Sequence, residues 1–145
     1  YLNKVDGRVI SNFINQALRG EDITIYGDGN QTRSFCYISD MVDGLIKLMN
    51  CDTNEKTVLP INLGNPNEIN IYNLASMIII LLKSKSNFIF NDLPEDDPMK
   101  RKPCIEKAKK ELNWKPKIKL DEGLKKPFNT LQIKKIVFKL HKTKK

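Results

Sequence analysis

The apolar residues fall first into helical spacing. Val9, Ile10, Phe13, Ile14, Ala17 and Leu18 recur at steps of three and four. This predicts a helix from Asp6 or Gly7 to about Arg19 with one apolar face and Gly20 as its stop. The spacing changes to alternation at Ile23-Thr24-Ile25-Tyr26, which reads as a short strand. Gly27-Asp28-Gly29-Asn30 reads as a tight turn, because glycine supplies the positive φ such turns need and Asp and Asn tolerate it. Ser34 to Ile38 is expected to be extended, with Ser39 or Asp40 capping a second helix that ends near Asn50. Met41, Val42, Leu45, Ile46, Leu48 and Met49 form that helix's apolar stripe.

Beyond it, Cys51 to Thr57 is a polar surface loop, and Leu59 to Gly64 reads as a strand ending in a Gly-Asn-Pro turn. Asn70 is expected to cap a helix from Ile71 to about Lys83. The unbroken apolar run Met77 to Leu82 predicts burial of this helix between layers. Phe88-Ile89-Phe90 reads as a strand, Leu93 to Pro103 as an acidic-then-basic loop, and Ile105 to Leu112 as a short charged helix. Asp121 then caps a last helix, broken or bent at Pro127. The order predicts an α/β fold without internal repeats, with three or four short strands, too few to build a doubly wound sheet alone.

Charge alters this picture in one place. The length of 145 residues suggests one domain, and the net charge is +8. Residues 1–124 hold 17 basic and 17 acidic side chains, whereas residues 125–145 hold eight lysines and no acid. Residues 1–124 are therefore read as the folded portion and 125–145 as a basic helical tail. Basicity confined to a tail without a stacking platform argues against a nucleic-acid-binding domain. Cys36, Cys51 and Cys104 are widely spaced, show no CxxC or metal pattern, and are expected as reduced thiols in or near the core. Asp96 and Asp97 have no third ligand nearby and read as a solvated loop, so no metal site is expected. No apolar run approaches the roughly 20 residues that span a bilayer. The chain begins at Tyr1 without methionine and is read as a piece of a longer protein.

The candidate chemistry lies after the first strand. Exposed turn amides, the Arg33 guanidinium and a helix N-terminus are parts that suit a phosphate or diphosphate. Spacing alone leaves a solvated turn with a surface arginine as the alternative.

The stretch GRVISNFINQALRGEDITIYGDGNQTRSFCYISDMVDGL, residues 7–45, resembles the C-terminal substrate region of extended short-chain dehydrogenases/reductases acting on nucleotide sugars. INLGNP at residues 61–66 and DDPMKRKP at residues 96–103 agree, and the KRKP element is similar to that of the UDP-glucuronate decarboxylases (UDP-xylose synthases). The resemblance implies an α/β fold, the C-terminal substrate-binding portion of an NAD(P)-binding Rossmann-type enzyme whose dinucleotide-binding half precedes these residues. It implies NAD as cofactor, held by that preceding half, and conversion of UDP-glucuronate to UDP-xylose and carbon dioxide through oxidation at the sugar C4. It also implies a homodimer, located in the Golgi lumen or the cytoplasm.

By the same resemblance, Val9, Ser11, Asn12, Phe13, Thr24, Ile25, Tyr26 and Gln31 line the nucleotide, with backbone groups meeting the uracil edges. Arg33 binds the diphosphate or ribose. Arg101 reaches the diphosphate and the sugar end, where a guanidinium can hold the carboxylate and stabilise an enolate. Apart from the resemblance, Arg101 reads as a surface charge in a Lys-Arg-Lys run, and Tyr26 as an edge-strand aromatic. Cys104 departs from the acidic residue usual after KRKP, and Cys36 stands where a polar side chain is common. No GxGxxG and no Tyr-x-x-x-Lys occurs in the chain, so residues 1–145 alone are expected to be inactive. The alternatives are a dehydratase or epimerase of the same superfamily, and a non-catalytic binding module with a basic tail.

Overall fold

The computed structural model describes residues 8–52, 59–94 and 98–129. In chain order the elements are α1 (Val9–Arg19), β1 (Ile23–Tyr26), β2 (Thr32–Ser34), α2 (Ile38–Met49), β3 (Glu68–Asn70), α3 (Ile71–Leu82), β4 (Phe88–Asn91), β5 (Lys100–Arg101), α4 (Glu106–Leu112) and α5 (Leu120–Asn129). The fold is mixed α/β, as the patterning predicts. The chain forms two compact units, one of Tyr1–Gln31, Asn70–Met99 and Leu124–Lys145 and one of Thr32–Ile69 and Lys100–Gly123. Length alone does not reveal this, because each unit is assembled from separated stretches of chain.

In the first unit, β1 pairs in parallel with β4, Ile23 standing opposite Phe88 and Tyr26 opposite Asn91. The alternation in β1 sends Ile23 and Ile25 into the core, where α1 and α3 contribute Phe13, Ala17, Ile71, Leu74, Ala75 and Ile78. α1 begins at Val9 after Arg8, without a side-chain cap; the expected start at Asp6 or Gly7 lies outside the described residues. Gly20 ends α1 in the left-handed region (φ 67°), its N–H and that of Glu21 closing on Ala17 and Gln16. Asn70 caps α3 as expected, its side chain accepting from Asn73 N at 2.7 Å. The expectation that α3 is buried on all sides is corrected. Its inward face is Ile71, Leu74, Ala75 and Ile78, whereas Ile80 is 76% exposed.

In the second unit the sheet order is β3-β2-β5. Three expectations are corrected here. The second extended piece is β2, earlier than Ser34 to Ile38, and α2 begins at Ile38 after Tyr37, so neither Ser39 nor Asp40 is its cap. Asp40 is buried instead, its carboxylate accepting the backbone N–H groups of Lys117 and Ile118 at 2.9 Å each, a task that takes it away from its own helix. Leu59 to Gly64 forms no strand; the carbonyls of Leu59 and Pro60 accept from Lys107 Nζ, and Asn62 bonds Cys104 O, so side chains replace a ladder. The strand lies further on, at β3.

The remaining differences are smaller. Lys100-Arg101, expected as loop, pairs with β2. α5 starts before Asp121, which sits in its first turn beside Glu122, and its span to Asn129 includes Pro127, so the helix is not broken there. Residues 130–145, with most of the expected basic tail, and Asp96 and Asp97 lie outside the described residues.

The second unit's core is Ile105, Ala108, Leu112 and Trp114, with Cys36, Leu48, Cys51, Ile61 and Leu63 packed against it. Trp114 is 1% exposed, and its indole N–H donates to Asp40 O at 2.9 Å. A Cβ on Gly44 would stand 2.9 Å from the indole, so the helix can approach the ring only without a side chain there. Cys104, expected in or near the core, is exposed. The apolar stripe of α2 divides: Leu48 faces the core, whereas Val42, Leu45, Ile46 and Met49 are exposed, Met49 by 83%.

Candidate functional site

The predicted site residues fall in both units. In the first, Phe13 and Ile25 are core side chains, so only their backbone could meet a ligand. Val9, Ser11 and Asn12 lie half-buried in the first turns of α1, where Asn12 N bonds Arg8 O. Tyr26 is half exposed on β1, and its ring is the accessible aromatic of that strand. Two glutamines hold the backbone beside it. Gln16 accepts from Thr24 N at 3.2 Å and donates to Thr24 Oγ1 at 3.0 Å. Gln31, 3% exposed, donates to Tyr26 O at 2.6 Å. Gln31 thus acts first as an internal tie between β1 and the turn.

That turn forms as the glycines predict. Gly27 (φ 66°) and Gly29 (φ 78°) take the left-handed region, and Asp28 accepts from Asn30 N at 2.9 Å and Asn30 Nδ2 at 2.7 Å. The Asn30 backbone bond, then its side-chain bond, holds the Asp28 carboxyl below the ordinary carboxylate value. The space a Cβ of Gly29 would occupy is taken up by Tyr72 and Ile25, at 3.0 and 3.2 Å, and the turn leads to β2 rather than into a helix. These glycines therefore serve chain geometry and close packing. They do not form a dinucleotide cradle, which needs a helix after the turn and open space over the glycine. GxGxxG and Tyr-x-x-x-Lys are also absent from the sequence, and among the described residues these glycines do not fit a dinucleotide.

The second unit holds both arginines. β2 and β5 run parallel with Thr32 opposite Lys100 and Arg33 opposite Arg101. Two guanidinium-bearing residues thus stand side by side on neighbouring strands. Like charges so placed repel, and an anion between them offsets the repulsion. Arg33 Nη1 donates to Thr32 O at 2.7 Å, and Ser34 Oγ donates to Arg101 O at 3.0 Å, which adds a side-chain tie to the ladder.

Arg101 borders a cleft of about 670 Å³ that also includes Lys100, Lys102, Ser34, Gly64 and Asn65. Phe35, Cys36, Met41, Leu63 and Pro103 supply an apolar wall. Its described lining carries three cations and no acid, a composition that favours an anionic ligand with an apolar or ring-like portion. Asn65 is buried and accepts from Asn67 N, fixing the turn after Gly64. A Cβ on Gly64 would stand 2.8 Å from Pro103 Cγ, so the INLGNP and KRKP stretches meet at this glycine. Among the predicted residues only Arg101 lines the cleft; Arg33 lies one residue before Ser34 in its wall. Sequence reasoning missed the other lining residues as ligands, although both motifs it singled out contribute them.

Burial, and secondarily the charge of Asp40, push the Cys36 thiol up from the ordinary value, which disfavours the reactive thiolate. Among the described residues no group of three or more His, Cys, Asp or Glu could hold a metal, and no helix is long and apolar enough to cross a membrane.

Comparison with known proteins agrees with this architecture. The family model for the NAD dependent epimerase/dehydratase family matches residues 1–64. UDP-glucuronic acid decarboxylase 1 of Danio rerio is 50% identical over 121 residues, 83% of this chain and 28% of the relative. UDP-glucuronic acid decarboxylase 3 of Arabidopsis thaliana is 52% identical over 123 residues, 85% of this chain and 35% of the relative. The chain thus spans about a third of the length of these curated relatives. Among solved structures, UDP-glucose 4-epimerase of Thermotoga maritima with UDP-glucose matches with a TM-score of 0.77 at 27% identity, covering 86% of this chain and 39% of that one. UDP-glucuronic acid 4-epimerase of Bacillus cereus, in complex with UDP-glucuronic acid and NAD, matches with a TM-score of 0.73 at 27% identity, covering 82% and 38%.

Proposed function

We propose that this chain belongs to the NAD dependent epimerase/dehydratase family and is the nucleotide-sugar-binding portion of a UDP-glucuronate decarboxylase. The whole protein converts UDP-glucuronate to UDP-xylose and carbon dioxide. The observation that carries the choice of reaction is the identity of about half the aligned residues with UDP-glucuronic acid decarboxylases, against 27% with the solved 4-epimerases. The geometry supports the binding role independently, through the Arg33–Arg101 pairing and the cationic cleft.

In this reading the residues of the chain bind and orient. Arg33 and Arg101 take the diphosphate, because a guanidinium remains charged and can meet two oxygens at once. Arg101 extends to the sugar carboxylate, where its charge favours the enolate left as carbon dioxide departs. NAD supplies hydride chemistry when bound, and its site is made by residues other than those described here.

The test is product analysis with the full-length protein, NAD and UDP-glucuronate. Formation of UDP-xylose with release of carbon dioxide is expected. An epimerised sugar that keeps its carboxylate would overturn the decarboxylase reading in favour of an epimerase, the alternative that the solved neighbours favour.

A further inference from the structure

Arg33 and Arg101 reach their shared register from stretches far apart in the chain, and a two-residue strand is a weak means of holding them there. β5 consists of Lys100 and Arg101 only. A pair so short leaves the relative position of the two guanidinium groups to whatever fixes the flanking residues. One carboxylate touches both flanks. Glu68, the first residue of β3, accepts from Thr32 Oγ1 through Oε1 at 2.6 Å. Its Oε2 lies 3.8 Å from Lys102 Nζ. Thr32 immediately precedes Arg33, and Lys102 immediately follows Arg101. The sheet order β3-β2-β5 places this side chain on the strand beside β2, reaching past it toward the end of β5.

The geometry points to Glu68 as a positioning residue that sets the register of Arg33 and Arg101 for a diphosphate, by tying Thr32 and Lys102 through one carboxylate. The inference rests on the arginine reading given above. The two ties differ in strength. A hydroxyl donating to a carboxylate at 2.6 Å is a short charge-assisted bond. The contact with Lys102, whose side chain is over half exposed, is a surface ion pair and contributes little by itself. The Thr32 bond therefore carries most of the effect, and an uncharged acceptor at position 68 preserves it. Glu68 has no contact with the ligand in this scheme: its side chain is only 24% exposed and both oxygens are engaged. Its influence passes through the two strands.

The experiment is a titration of UDP into the full-length protein, its Glu68→Ala, Glu68→Gln and Arg101→Ala variants and the Glu68→Ala, Arg101→Ala double variant, with thermal unfolding recorded for each. Glu68→Ala is expected to weaken UDP about tenfold, and Glu68→Gln to recover most of that loss, as expected when neighbours in one network are uncoupled. The effect of Glu68→Ala should also vanish in the Arg101→Ala background, whereas a general loss of stability would weaken binding equally in both. UDP affinity within twofold of wild type for Glu68→Ala, or an undiminished effect without Arg101, would overturn the positioning role while leaving the arginine reading intact. An Arg101→Ala variant that binds UDP normally would overturn both.

Discussion

The two units solve the same packing problem by different means. The first is held by pattern: alternating residues of β1 and one face each of α1 and α3 meet in an apolar core, and the helix ends are closed by Gly20 and Asn70 within a few residues of the elements they terminate. The second adds to its apolar core around Trp114 a set of polar tethers that cross long stretches of chain, where the first has Ser84 Oγ to Ala17 O and Asn87 N to Asp22 Oδ1. Asp40 binds the backbone at Lys117 and Ile118, Lys107 binds Leu59 and Pro60, and Glu68 binds Thr32. The proposed anion site lies in the second kind of structure. A site that must place charged groups gains from directional bonds, which fix orientation as apolar contacts do not.

The largest expected effect is in the apolar core of the second unit. Trp114→Ala removes its largest buried side chain and also leaves the Asp40 carbonyl without its indole donor. A loss of about 3–5 kcal/mol is expected in denaturant unfolding of the full-length protein. A loss below 1 kcal/mol would show that the second unit does not depend on this core.

A paired substitution sharpens the contrast. Asp40→Ala leaves two backbone N–H groups without their acceptor, and should cost about 1.5–3 kcal/mol, the range for bonds to a charged group. Asn70→Ala removes a local helix cap in the first unit and should cost about 0.5–2 kcal/mol. Unfolding midpoints read under identical conditions give the ranking directly. A greater loss for Asn70→Ala would contradict the distinction between tethered and patterned units.

The same distinction explains what the sequence reveals. The periodicity of α1, the alternation in β1, the stop at Gly20, the glycine turn and the Asn70 cap are signals carried by neighbouring residues, and each forms as read. The failures share a cause. Asp40 looks like a cap because its proper partners are more than seventy positions away. Leu59 to Gly64 has the composition of a strand, yet its carbonyls are claimed by Lys107. Lys100-Arg101 reads as loop because two residues carry no period, and only β2 makes them a strand. Of the candidate site, the motif residues Arg33 and Arg101 were legible through resemblance. Their common register and Glu68 were not, since pairing between distant segments leaves no local trace.

The central claim is that Arg33 and Arg101 form an anion grip for the diphosphate of a UDP-sugar. Calorimetric titration of UDP, which lacks the sugar, into the full-length protein and its Arg33→Ala variant tests this most directly. The account predicts a loss of about 1.5–3 kcal/mol, roughly 10- to 150-fold in Kd, for the removal of a charged hydrogen-bonding partner. An Arg33→Ala variant that binds UDP within twofold of wild type would contradict it, and would leave Arg33 as a turn-flanking arginine that donates to Thr32 O.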